Sequence, residues 1–152
     1  MTILRTVIQT ILLLLAVTGC TTTSASSGDI ADRQVNVMAT TGMIADVVRN
    51  VGGERVQVIQ MMGAGVDPHL YKASEGDVQR LQNADIIFYN GLHLESRMGE
   101  ILEKLNGFGK TTVAVGDAIP ADLLISPPEF QGFHDPHVWM DPDRVAEAVP
   151  PI

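Results

Sequence analysis

Asp85-Ile86-Ile87-Phe88-Tyr89 is an almost unbroken apolar run, preceded by Asn83-Ala84 and closed by Asn90-Gly91. A half-exposed strand would alternate apolar and polar residues. A run without alternation suits a short strand covered on both faces, as in a parallel sheet. Working outward, Ser74 followed by Asp77 resembles a capping box, and the spacing predicts a helix from Ser74 to about Asn83. Upstream, 35–40 and 55–61 read as strands on either side of an amphipathic helix over 43–51. Ile44, Val47, Val48 and Val51 make its apolar stripe, Thr40 or Thr41 is its expected cap, and Gly52-Gly53 its expected stop. Downstream, Leu94, Met98, Ile101, Leu102 and Leu105 set another helical stripe, expected to stop at Gly107, and 111–115 reads as a fourth strand. Four strands separated by three helices predict right-handed crossovers and an α/β fold: a single lobe with a four-stranded parallel sheet flanked by helices.

The 152 residues suffice for one domain with a modest core. Ten Lys and Arg against 18 Asp and Glu give a net charge of -8, which argues against nucleic acid as a partner, because neutralising phosphates needs a basic face. The single cysteine rules out an intrachain disulfide and a Cys-based zinc knuckle. That cysteine, Cys20, directly follows a short positive region at Arg5 and an apolar stretch over 7–17. The stretch is short for a membrane-spanning helix and suits a secretory leader. Val17-Thr18-Gly19-Cys20 resembles the lipobox of bacterial lipoproteins, in which the cysteine is lipidated and becomes the new N-terminus. The competing reading is an uncleaved anchor with an incidental cysteine. The expected organisation is a leader over 1–19, then a polar, Gly/Ser/Thr-rich flexible tether over 20–34. The domain would then work outside the cytoplasmic membrane, held to it through Cys20.

In open α/β sheets, ligands bind outside the carboxyl ends of the strands. All four histidines fall in segments leaving predicted strands: His69 after the second, His93 after the third, His134 and His137 after the fourth. Imidazole is a common transition-metal ligand. Asp67-Pro68-His69 and Asp135-Pro136-His137 repeat one unit, whose proline stiffens the approach to the histidine. A lone loop histidine ordinarily has a surface or hydrogen-bonding role. The repeated unit on one sheet edge raises a shared site to an equal alternative. His93, near Glu95, could cap or pack, and Pro136 opposes helical chelation by His134 with His137. Met61-Met62 is expected in the core and Trp139 as a buried wall beside the site. Gly63-Ala64-Gly65 lacks the ending of a phosphate loop, and neither His-Glu-x-x-His nor Gly-x-Ser-x-Gly occurs. Asp141-Pro142 is a helix start, and Pro150-Pro151 leaves either a short helix or a longer one cut off.

Four stretches in this order resemble the metal-binding lipoproteins of ABC importers, solute-binding family 9, which includes manganese and zinc receptors and the adhesin lipoproteins. They are Ala39-Thr40-Thr41-Gly42-Met43-Ile44-Ala45-Asp46, Gly65-Val66-Asp67-Pro68-His69-Leu70-Tyr71, residues 83–95, and Asp135-Pro136-His137-Val138-Trp139-Met140-Asp141. The resemblance implies two α/β lobes joined by a rigid helix, with the metal between them. On that reading 35–140 is the N-terminal lobe and 141–152 the start of the linking helix. His69 and His137 take the positions of the two N-lobe ligands. His93 matches no ligand, and His134 has no counterpart. A histidine or glutamate and an aspartate would come from a C-lobe that this sequence does not contain, so the chain reads as a fragment of such a receptor.

The resemblance implies capture of a divalent transition metal for an ABC permease, with manganese favoured, zinc next and iron possible. Two histidines with two carboxylates suit manganese or iron, whereas a third histidine leans toward zinc. The lack of a His-rich acidic loop tilts the expectation to manganese. No enzymatic activity is expected. A surface adhesin is the alternative, and an extracellular metallohydrolase, which needs a general base and an open coordination position, is a more distant one.

Overall fold

Ile87 and Phe88, adjacent in the chain, are buried in separate apolar layers on opposite faces of one sheet. The computed structural model describes residues 29–152. The expected leader, Cys20 and most of the expected tether lie outside the described residues. Strands β1 (Val35–Ala39), β2 (Val56–Gln60), β3 (Ile86–Tyr89) and β4 (Thr111–Ala114) form a four-stranded sheet in the order β2-β1-β3-β4. Every neighbouring pair is parallel, with Val37 opposite Val58 on one side and Ile86 on the other. This is the α/β lobe that the spacing predicts.

Helices α1 (Gly42–Gly52) and α4 (Pro142–Ala148) contribute Ile44, Val48 and Ala148 to the layer that covers Val37 and Phe88. Helices α2 (Glu75–Asn83) and α3 (Gly99–Gly107) bring Leu81 and Leu102 onto Met38 and Ile87, together with Met61 and Met62. The chain runs outward from β1 to β2 over one face and returns to β3 and β4 over the other. Reversing direction and face together keeps the crossover hand constant. It also creates a topological switch point between β1 and β3, where a crevice opens beyond the strand ends.

Several boundaries differ from the sequence expectation for identifiable reasons. The helix expected from Leu94 begins only at Gly99; turns occupy 92–98, opened by Leu92 and His93 in left-handed backbone (φ 51° and 64°) that no α-helix includes. Leu94 and Met98 are nevertheless fully buried from the turns that precede α3. At the other end, Gly107 is the last helical residue, and Gly109, at φ 83°, makes the reversal. Thr41 holds the N-cap position of α1, but its hydroxyl caps nothing; the Thr40 hydroxyl goes instead to Glu95. The cap of α2 follows expectation. The Ser74 hydroxyl accepts from the Asp77 N–H, and the Asp77 carboxylate accepts from the Ser74 N–H. Helix α4 is short, capped by Asp141 with Pro142 in its first turn.

The described end of the expected tether is fastened to the lobe. Arg33 donates to both carboxylate oxygens of Asp85, at 2.6 and 2.7 Å, and Asp85 also accepts the Asn36 N–H at 2.7 Å. The Arg33 bonds foremost, with the Asn36 N–H, hold the Asp85 pKa at about 2 against a burial effect that would raise it. Burial likewise opposes ionisation of Asp77. Ser74, the Tyr71 hydroxyl and Arg80 outweigh it and bring that pKa also to about 2. Both values lie below the ordinary carboxylate pKa of 3.8, so each pair stabilises the fold above about pH 4 and loses that contribution as pH falls toward 2. The urea midpoint is therefore expected to drop between pH 5 and pH 3, and Asp77→Asn/Asp85→Asn to lower the midpoint at pH 5 and flatten that drop.

Candidate metal centre

Both Asp-Pro-His units make the same aspartate-to-histidine hydrogen bond, and the bond follows from the sequence. Asp67 Oδ1 accepts the His69 N–H at 2.9 Å, and Asp135 Oδ1 accepts the His137 N–H at 3.0 Å. Such aspartate turns fix the backbone two residues on, and the intervening proline has no N–H to compete. The loop after β2 and the segment after β4 thus each present an imidazole at the same sheet edge. The rings of His69 and His137 lie 5.5 Å apart, centre to centre, tilted by 57°.

The two histidines are held differently. His137 Nδ1 is 2.6 Å from Asp135 Oδ1, so in the neutral ring Nδ1 carries the proton and Nε2 keeps its lone pair for a ligand. The His137 backbone N–H and then its ring hold the Asp135 pKa below the ordinary range. Trp139 meets the His137 ring edge-on at 5.2 Å. It is half-buried, so the wall expected there is partly open. His69 is anchored through its backbone, whose carbonyl accepts the Ser96 hydroxyl at 3.0 Å.

The other two histidines are elsewhere. His93 packs against Phe133, with ring centres 4.4 Å apart, and His134 Nδ1 is 2.8 Å from the Ser126 hydroxyl. Both line a separate cavity of about 330 Å³. Among the described residues no three His, Cys, Asp or Glu side chains gather in metal-binding geometry. The histidine pair can supply two imidazole nitrogens to a cation and leaves its remaining coordination to other donors.

Just beyond β3 lies a buried carboxylate that the sequence reading treated only as a neighbour of His93; it lines the cavity of His93 and His134. Glu95 is 3% exposed. Its Oε1 accepts the Thr40 hydroxyl at 2.6 Å and the Asn90 N–H at 2.8 Å, and its Oε2 the Gly91 N–H at 3.2 Å. Burial raises the Glu95 pKa despite these donors. The Asn90 side chain in turn donates to the Pro136 carbonyl at 3.0 Å, next to His137. The periodicity of 94–105 hid this group by placing Glu95 on a helix face. The signal available was an acidic residue shortly after a buried strand.

Comparison with known proteins gives the family and fold of the chain. The profile of the ZnuA family, "zinc-uptake complex component A periplasmic", matches residues 37–152. The manganese-binding lipoprotein MntA of Bacillus subtilis is 52% identical over 124 residues, covering 82% of this chain and 39% of that protein. The structure of the periplasmic zinc-binding protein TroA from Treponema pallidum superposes with a TM-score of 0.71 at 47% identity, covering 76% of this chain and 41% of that one. A manganese-bound periplasmic metal-binding protein from Candidatus Liberibacter asiaticus superposes at 0.65 and 30% identity, covering 76% and 42%. The chain spans about two-fifths of the length of these relatives.

The Asp135 bond predicts the His137 tautomer. In long-range ¹H–¹⁵N spectra at neutral pH, His137 should carry its proton on Nδ1. Asp135→Asn, whose amide group can turn a donor toward that nitrogen, should shift the ring toward the Nε2–H form.

Proposed function

Because the chain belongs to the ZnuA family of metal-uptake components, we propose that it is the metal-capturing N-terminal lobe of an extracytoplasmic solute-binding lipoprotein. Its cargo is a divalent transition metal, with manganese favoured and zinc next, for delivery to an ABC permease. Residues 35–140 act as the lobe and 141–152 as the first part of a linking helix. Cys20 is the lipid anchor, so the lobe works at the outer side of a bacterial membrane.

The observation that carries this reading is the pairing of His69 and His137, 5.5 Å apart, each braced by the aspartate of its own Asp-Pro-His unit. Two pre-oriented imidazoles at the end of a rigid sheet suit reversible capture, with further ligands closing over the ion. Manganese is favoured because the relative named for it is 52% identical. Zinc is nonetheless expected to bind the two imidazoles more tightly in direct competition, as the general order of divalent affinities requires.

Equilibrium dialysis of the full chain against zinc and manganese tests this. One ion per chain is expected, with zinc the tighter, and His69→Ala or His137→Ala should each weaken zinc binding by at least the roughly tenfold that losing even an outer-shell partner of a ligand costs. Undiminished zinc binding in both variants would refute the assignment.

A further inference from the structure

The two ligand loops, far apart in sequence, touch a common third segment. Residues 90–96 leave β3 and cross the switch point, and each end of that segment holds the backbone of one ligand loop. At one end the Asn90 side chain donates to the carbonyl of Pro136, the residue before His137, at 3.0 Å. At the other, the Ser96 hydroxyl donates to the carbonyl of His69 itself, at 3.0 Å. Between them, Glu95 closes the segment on itself through the Asn90 and Gly91 N–H groups, just beyond β3, and ties it to the Thr40 hydroxyl, just beyond β1. The segment is stiff. The Gly91 carbonyl accepts the Leu94 N–H, the Glu95 carbonyl accepts from Met98 and Gly99, and Leu94 is wholly buried.

We propose that residues 90–96 form a bracket that sets the spacing of the His69 and His137 imidazoles, with Glu95 its positioning residue. The bracket touches no ion. It acts because one rigid piece grips both ligand loops, so neither histidine moves without straining a hydrogen bond to the same segment. Donors held at a fixed separation bind an ion without first having to be ordered, and that saving is lost when either grip is released. The geometry also makes the two grips interdependent. Once one loop is free the spacing is already undefined, and freeing the second adds little.

The inference rests on the metal-binding reading above, and the test separates the two. Cobalt(II), with visible bands that report ligand geometry, is titrated into the full chain and into Ser96→Ala, Asn90→Ala, their combination and Glu95→Gln, with His69→Ala as control. Ser96 is exposed, so Ser96→Ala should keep the parent's thermal midpoint while binding cobalt about threefold more weakly, the scale of one ordinary hydrogen bond. Glu95→Gln sets an amide donor among N–H groups. It should weaken binding by roughly tenfold, as loss of a charged hydrogen-bond partner does, and alter the bands of the saturated complex. The double variant should lose less than the product of the single losses. A purely structural role would lower the midpoint and leave the saturated spectrum unchanged. The bracket is overturned if Ser96→Ala and Glu95→Gln match the parent in affinity and spectrum while His69→Ala loses binding, or if the double loss is fully multiplicative. Should Glu95→Gln fail to fold, Ser96→Ala and the double variant decide on the same criteria. Undiminished binding by His69→Ala would remove the metal reading and the bracket with it.

Discussion

The buried Glu95 carboxylate organises the upper edge of the lobe. Where β3 ends, the Asn90 and Gly91 N–H groups run out of ladder partners, and buried backbone donors must be satisfied. Glu95 accepts both and takes the Thr40 hydroxyl from the end of β1 as well. It therefore closes the switch point from inside, joining the two strands between which the chain reverses direction. The burial that pushes up its pKa also makes its hydrogen bonds strong, because there is little water to compete. The adjoining turn is tight. Gly91 sits at φ 75°, where a Cβ would come within 2.9 Å of the Ala114 side chain, so a larger residue there would push β4 away from β3.

From that fixed edge the ligand loops need only short reaches. Each Asp-Pro-His unit uses its aspartate to set the histidine backbone, and Asp135 additionally orients the His137 ring through Nδ1. On the proposed reading the result is half a coordination shell, built on loops but held to a rigid sheet. A half-shell binds reversibly and leaves room for donors of other origin to complete the site and choose among metals. Softer, imidazole-rich sets favour zinc, and added carboxylates favour manganese.

Much of the fold was legible in the sequence because it rests on periodicity and local chemistry. The run 85–89, the stripe beginning at Ile44, and the Ser74–Asp77 and Asp141-Pro142 caps all report short-range physics. The pairing of His69 with His137 was legible as one of two alternatives, from a repeated tripeptide on one predicted edge. What the sequence could not show were contacts between distant segments. The stripe through Leu94 and Met98 looks helical because turns at 92–98 bury the same residues that a helix would. Nothing local marks the left-handed backbone at Leu92 and His93. Thr40 and Thr41 were equivalent as caps until Glu95 claimed the first. The burial of Glu95 and its reach to Thr40, 55 positions away, depend on strand order.

The central claim is that, among the described residues, this lobe offers an ion two imidazoles and no third protein nitrogen. Zinc K-edge X-ray absorption on the full chain loaded with one equivalent tests it directly. The account predicts the outer-shell scattering of two imidazole rings, with nitrogens near ~2.0–2.1 Å and oxygen donors completing the shell. Scattering from one ring or none, or from three, would contradict it.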